Sequence, residues 1–190
     1  MRRLPVRLSL MAASSLDVVG FWRKAGPAKW FAKDPKFDEQ IRLRFEPVHH
    51  RAARGEYDGW EGTAEGSLAL LLLLDQFPRN LFRGEAHAYA TDGKSRTIAR
   101  AAVAAGQDKA LDAGLRPFIY LPFEHSEDMS DQDESLRLFT ATGDAELIKW
   151  AALHRDVIVR FGRYPHRNAA LGRLTTPAEQ QFIDEGGFRG

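Results

Sequence analysis

The sequence predicts an all-α fold, and three observations carry that expectation. Apolar residues recur at helical spacing in successive segments. No strand signal stands out. Turn signals cut the chain into helix-length pieces, several of which open on a readable cap. The 190 residues suit one domain. Shares of 44% hydrophobic and 28% charged residues are those of a globular chain rather than a disordered one. Residues 1–16 are read as an N-terminal tail and 17–190 as a single all-α domain.

Taken in order, a first helix is expected near Asp17 to Lys24. Asp34-Pro35 places a capping residue before a proline at the first helical position. In the helix that follows, Phe37, Ile41, Phe45, Val48 and Ala52 share one stripe, Pro47 should kink it, and Gly55 ends it. His49 and His50 fall off that stripe and are expected to face solvent. Thr63 caps a helix that should stop at Phe77-Pro78, and Asp92 starts another that ends near Gly106. Residues 115–128 read as a helix broken or kinked by Pro122. Ser130 with Asp133 fits a capping box for a short helix to about Ala141. Asp144 caps a long helix ending at Gly162. Thr176-Pro177-Ala178-Glu179 is a capping box before a last helix that stops at Gly186-Gly187.

Composition excludes several kinds of chemistry. There is no cysteine, hence no disulfide, thiolate zinc site, iron–sulfur cluster or cysteine nucleophile. The formal charge is +1, which argues against a general polyanion binder, and no nucleic-acid partner is expected. The longest strongly apolar run, Leu68 to Leu74, is far short of the roughly 20 residues a bilayer requires, so no membrane association is expected and the chain is read as soluble and cytoplasmic. Arg2, Arg3 and Arg7 open an acid-free start whose apolar part is broken by Pro5 and Arg7, unlike a secretory signal. Met11 is a candidate initiator.

Polar groups enter apolar helices at three places. With Leu147 set at 0°, about 100° per residue puts Lys149, Asp156 and Arg160 near 180–220°, the wet face. Leu147, Trp150, Val157, Ile158 and Phe161 then form the buried face. His154 falls in its middle, and Arg155 lies away from the wet face, where a buried charge requires an anionic partner. The run Leu68 to Leu74, apolar all round, ends in Asp75-Gln76-Phe77-Pro78-Arg79-Asn80. A carboxylate at a helix C-terminus opposes the macrodipole, so Asp75 calls for a cation, with Arg79 or Arg155 the candidates. Phe118 to Phe123 leads into Glu124-His125-Ser126-Glu127-Asp128; if helical throughout, Tyr120, Glu124 and Asp128 share a face. The loop Arg163-Tyr164-Pro165-His166-Arg167-Asn168 adds further cations. Asp75 with Arg79, and Glu124 with Arg155, also fit structural ion pairs, and His154 fits a satisfied core histidine.

The near-neutral total is a cancellation. Residues 122–146 hold eight acids against Arg137, net −7, and residues 147–173 hold six cations against Asp156, net +5. Two complementary halves, partly paired inside the fold, are expected.

These polar pieces also carry a resemblance. The stretches Val19 to Trp22, Trp30 to Phe45, Leu68 to Gly84, Thr91-Asp92, Phe118 to Gln132 and His154 through Phe182 resemble the bacterial family catalogued as domain of unknown function 924. The likeness covers about residues 17–185, and its longest motifs run from Asp75 to Asn80, from Pro122 to Asp128 and from Arg160 to Asn168. Arg23 stands where the family has an aromatic. The resemblance implies a tetratricopeptide-like fold of antiparallel helical hairpins, about eight to ten helices, and brings no substrate.

The favoured expectation is a pocket, binding or catalytic, for a small anionic molecule. Asp75, Gln76, Arg79, Asn80, Tyr120, Asp128, Arg155, Arg163, Arg167 and Asn168 are its ligand-binding candidates, the arginines clamping a carboxylate or phosphate. Glu124, His125, His154 and His166 are its acid–base candidates. Ser126 beside His125 is a weak nucleophile signal. The competing expectation is a peptide-binding helical adaptor without catalysis. A metal held by Glu124, Asp128, His125, His154, His166 and Asp75 ranks last, because no HExxH or comparable spacing occurs. No metal and no cofactor are expected.

Overall fold

A computed structural model describes residues 13–188, and every regular element among them is helical. The candidate initiator Met11 lies outside these residues. Helix α1 (Ser15–Ala25) begins earlier than expected because Ser14 and Asp17 form a capping box: the Ser14 hydroxyl accepts from the Asp17 amide, and Asp17 accepts from the Ser14 amide at 3.0 Å. A short α2 (Pro27–Trp30) follows. Asp34 caps α3 (Pro35–Ala53) through the Lys36 and Phe37 amides. Helix α3 runs on through Pro47, which lies on its exposed side.

Thr63 caps α4 (Ala64–Leu71), as the sequence indicates. The rod does not stop at Phe77-Pro78. It widens into a π turn (Leu72–Gln76) and continues as α5 (Phe77–Leu81). The Phe77 amide bonds the Leu72 carbonyl, and Pro78 has no amide hydrogen to offer the next one. Side chains take the exposed acceptors: His49 Nδ1 donates to the Leu73 carbonyl at 2.8 Å and the Thr91 hydroxyl to that of Leu74 at 2.5 Å. Wide turns of this kind often mark functional sites.

Helix α6 (Asp92–Ala104) packs on α7 (Pro117–Glu124), α7 on α8 (Met129–Thr140), and α8 on α9 (Ala145–Phe161). All eight residues of α7 are buried. Helix α7 ends at Glu124 rather than near 128, so Tyr120, Glu124 and Asp128 share no helical face. The cap of α8 is Asp128, which accepts from the Ser130 amide at 2.7 Å; the expected Ser130–Asp133 box is displaced by two residues. Asp144 caps α9, and Gly162 closes it in the left-handed conformation (φ 70°) with its amide on Ile158. The box at Thr176 and Glu179 opens α10 (Pro177–Asp184).

The core is aromatic around α1. Trp22 is fully buried, stacks on Trp30 at 6.1 Å and meets Phe118 edge-on at 5.4 Å. Arg23 lies at the surface, paired with Asp112 at 2.8 Å. Residues 68–74 are all fully buried, so the central rod is covered on every side. No helix among the described residues is long and apolar enough to cross a membrane.

Burial departs from expectation at His49, at Trp150 and at Arg155. His49 is fully buried, because the π turn and the segment after α5 cover more of α3 than its apolar stripe. Trp150 is 45% exposed, because α8 covers a narrower arc of α9 than the wheel implies.

Candidate functional site

The π turn, the start of α6, the end of α7 and the loop after α9 bring four charged side chains into one buried chain of alternating sign. Asp75, on the π turn, is fully buried. It lies 3.2 Å from the Arg79 guanidinium and accepts from His125 Nδ1 at 2.9 and 3.0 Å and from the Gln76 amide at 2.5 Å. Arg79 makes a two-point contact with Asp92, at 3.1 Å to each oxygen, and donates to the Asp75 carbonyl at 2.7 Å. Asp92 in turn faces Arg167 at 3.7 Å.

This arrangement sorts the protonation states. Burial alone would raise the Asp75 pKa, but the Arg79 charge and the His125 hydrogen bond override it and hold it at about 2. Asp75 is therefore ionised and acceptor-only, so His125 Nδ1 carries the proton and Nε2 has the lone pair. Burial and the Arg79 charge lower the His125 pKa against the pull of Asp75. Glu124 is the opposite case. Burial, with Asp75 nearby, pushes its pKa up to about 8, and its Oε2 has no partner among the described residues. Two adjacent carboxyl groups thus hold different states at neutral pH, a separation typical of acid–base sites.

His154 packs behind this pair. Its Nδ1 donates to the Trp150 carbonyl at 2.8 Å and lies 3.4 Å from Glu124, and burial lowers its pKa to about 3. His166 is also lowered to about 3 by burial and the Arg167 charge, and its Nδ1 is unpartnered.

Arg167 is the outlier of the cluster. It is 6% exposed, yet its guanidinium makes no hydrogen bond to any of the described residues, and Nε is buried without a partner among them. The Tyr89 and Tyr164 rings hold it from two sides, at 4.6 and 4.4 Å from their centroids. Burial and the Arg79 charge lower its pKa despite Asp92. Tyr164 is itself fixed, donating to the Glu124 carbonyl at 2.5 Å and accepting from Gln132 at 2.8 Å. Arg167 lines a cleft of about 440 Å³ with Tyr89, Asp92, Arg96, His125, Ser126, Glu127, Asp128 and Leu171.

Of the residues singled out in the sequence, Asp75, Gln76, Arg79, His125 and Arg167 converge, with Glu124, His154 and His166 packed around them. Others do not join. Arg155 is half-exposed and pairs with Asp133 at 2.7 Å, so neither Asp75 nor Glu124 is its partner. Arg163 is held by Glu179 at 2.6 and 2.8 Å, and Asn168 lies beside the same carboxylate at 3.3 Å. Asn80 donates to Asp38 at 2.7 Å, and the Tyr120 hydroxyl to Asp108 at 2.7 Å. Asp128 caps α8 while rimming the cleft. The two charged halves pair only in part: Glu127 with Arg173 and, at the surface, Asp133 with Arg155, both at 2.7 Å, whereas Asp131, Glu134 and Arg163 find partners elsewhere. Sequence reasoning missed Asp92, Tyr89 and Arg96. Asp92 was visible as a helix start and in the family-like Thr91-Asp92 pair, neither of which places it at a site, and nothing marks an aromatic as the clamp of an arginine 78 positions away.

Residues 18–187 match the family of bacterial proteins of unknown function DUF924. The chain belongs to this family. A solved structure of a protein of unknown function, ATU0120 from Agrobacterium tumefaciens, is 51% identical, superposes with a TM-score of 0.88, and is covered over 97% of its length by 90% of this chain. No curated protein matches. The likeness establishes the all-α fold and brings no activity.

Proposed function

We propose that the cleft binds a small molecule bearing a carboxylate or phosphate, held by Arg167, with the Asp75–His125 pair placed for proton transfer on it. The observation that carries this reading is the guanidinium of Arg167. A buried arginine without hydrogen bonds is costly, and an anion supplying two acceptors would offset that cost. The aromatic clamp fixes the plane of the fork before a ligand arrives, which reduces the entropy lost on binding.

Chemistry follows from the neighbours. His125 Nε2 is a neutral base whose ring is oriented by Asp75, while Glu124 is held protonated behind the cleft wall, against His154. Arg96 adds a second cation to the cleft wall. A thermal-shift screen of inorganic phosphate and small mono- and dicarboxylates tests the reading. At 100-fold over Kd a ligand of the native state stabilises by about 2.7 kcal/mol. The expected result is a rise in Tm for at least one anion in the wild type and none in Arg167→Met. A wild type indifferent to every anion contradicts it.

A further inference from the structure

The π turn also packs against a buried histidine of α3, away from the Asp75 cluster. His49 is fully buried, and its Nδ1 donates to the Leu73 carbonyl at 2.8 Å. That bond fixes the tautomer, so Nε2 carries the lone pair, and this atom is buried with no hydrogen-bond partner among the described residues. A buried ring nitrogen normally finds a donor. Here its neighbours are two more imidazoles. The His49, His50 and His87 ring centroids form a near-equilateral triangle with sides of 5.0, 5.7 and 5.5 Å. One ring nitrogen from each falls within 4.8 Å of the other two. Tetrahedral zinc, with nitrogens at about 2.0–2.1 Å, needs them roughly 3.3–3.4 Å apart, so a small inward rotation of the two less constrained rings would suffice.

We propose that His49, His50 and His87 form a three-histidine site for a first-row divalent cation of the zinc type. The donor set fits such a borderline ion, since three neutral imidazoles in a chain without cysteine suit zinc, copper or nickel better than calcium or magnesium. The outer contacts fit as well. Metal-bound histidines commonly donate their other nitrogen to a carbonyl or carboxylate, as His49 does to Leu73. Glu46 lies 4.0 Å from His50 Nε2. Phe82 stacks flat on His87 at 4.0 Å and packs against His49 at 5.8 Å and His50 at 6.2 Å, giving the site an apolar wall. Three protein ligands leave a fourth position for water or an exogenous ligand.

The sequence hides this site. His49 and His50 are adjacent on α3, and His87 enters from the short turn Ala86–Tyr89, so no motif spacing results. The test uses the full chain without a polyhistidine tag, stripped with chelator and titrated calorimetrically with zinc, with cobalt as a spectroscopic probe of tetrahedral nitrogen ligation. One zinc per chain is expected. Affinity should fall at least about tenfold in both His87→Ala and His50→Ala, and be retained in His125→Ala. Circular dichroism melting checks that each variant folds, and either of the first two, once folded, decides the matter. Absence of stoichiometric zinc in the wild type, or wild-type affinity in a folded His87→Ala or His50→Ala, overturns the proposal.

Discussion

Replacing Asp75 by Asn removes the negative charge from the centre of the cluster while keeping its shape. In the native state Asp75 accepts from His125 and Gln76 and faces Arg79 at 3.2 Å. Its pKa falls from 3.8 to about 2 in spite of complete burial. At about 1.4 kcal/mol per unit this corresponds to roughly 2–3 kcal/mol of stability at neutral pH. Breaking a buried pair costs about 3–5 kcal/mol when the remaining charge is left alone. Arg79 keeps its two-point contact with Asp92, so the expected loss is at the lower end, about 3 kcal/mol. Because the folded pKa is depressed, the contribution is complete above the unfolded value of 3.8 and fades as pH falls toward about 2. Urea unfolding of the wild type and Asp75→Asn at several pH values measures this. The gap should be about 3 kcal/mol at pH 7 and shrink between pH 4 and pH 2. A gap under about 1 kcal/mol at pH 7, or one independent of pH, would falsify the assignment of Asp75 as the ionised anchor of Arg79 and His125.

Glu124 should behave in the opposite sense. Its folded pKa is raised to about 8, so the unfolded chain ionises first and stability falls as pH rises from the ordinary 4.5 toward 8. Glu124→Gln should therefore gain on the wild type across that window, by a few kcal/mol at pH 8, and urea midpoints at pH 5 and pH 8 that shift in parallel would contradict it. Arg155→Leu should change stability by less than about 1 kcal/mol, since its pair with Asp133 is at the surface; a thermal melt showing a larger loss would place Arg155 in the cluster after all. Arg167→Met should unfold at the same or slightly higher urea concentration than the wild type without ligand, because it deletes a buried charge that makes no hydrogen bond among the described residues and whose counterion Asp92 is already held by Arg79. A marked drop would mark Arg167 as structural.

The helix boundaries set by caps were legible in the sequence. Asp34, Thr63, Asp144 and Thr176 sit where their side chains accept the first free amides, a local interaction that spacing reveals. The π turn was not legible. An apolar run followed by proline reads as a helix end, and only the side chains of His49 and Thr91, distant in sequence, satisfy the carbonyls that let the rod continue. The candidate site was half legible. Asp75, Arg79 and His125 stood out as polar groups at the ends of apolar segments, and Arg167 as a cation of the loop after the long helix. Which arginine faces which acid was beyond periodicity, because Asp133 and Asp92 compete for partners on other elements. His49 was misread for the same reason: a helical wheel records one helix and not the layer above it.

The role of Arg167 is decided by one calorimetric comparison. The anion that stabilises the wild type most is titrated into wild type, Arg167→Lys and Arg167→Met under identical salt. A planar fork held between Tyr89 and Tyr164 should bind tightly only as arginine, with the lysine variant weakened at least about tenfold and the methionine variant silent. Equal affinity in all three would remove Arg167 from the site, and with it the anion-binding account of the cleft.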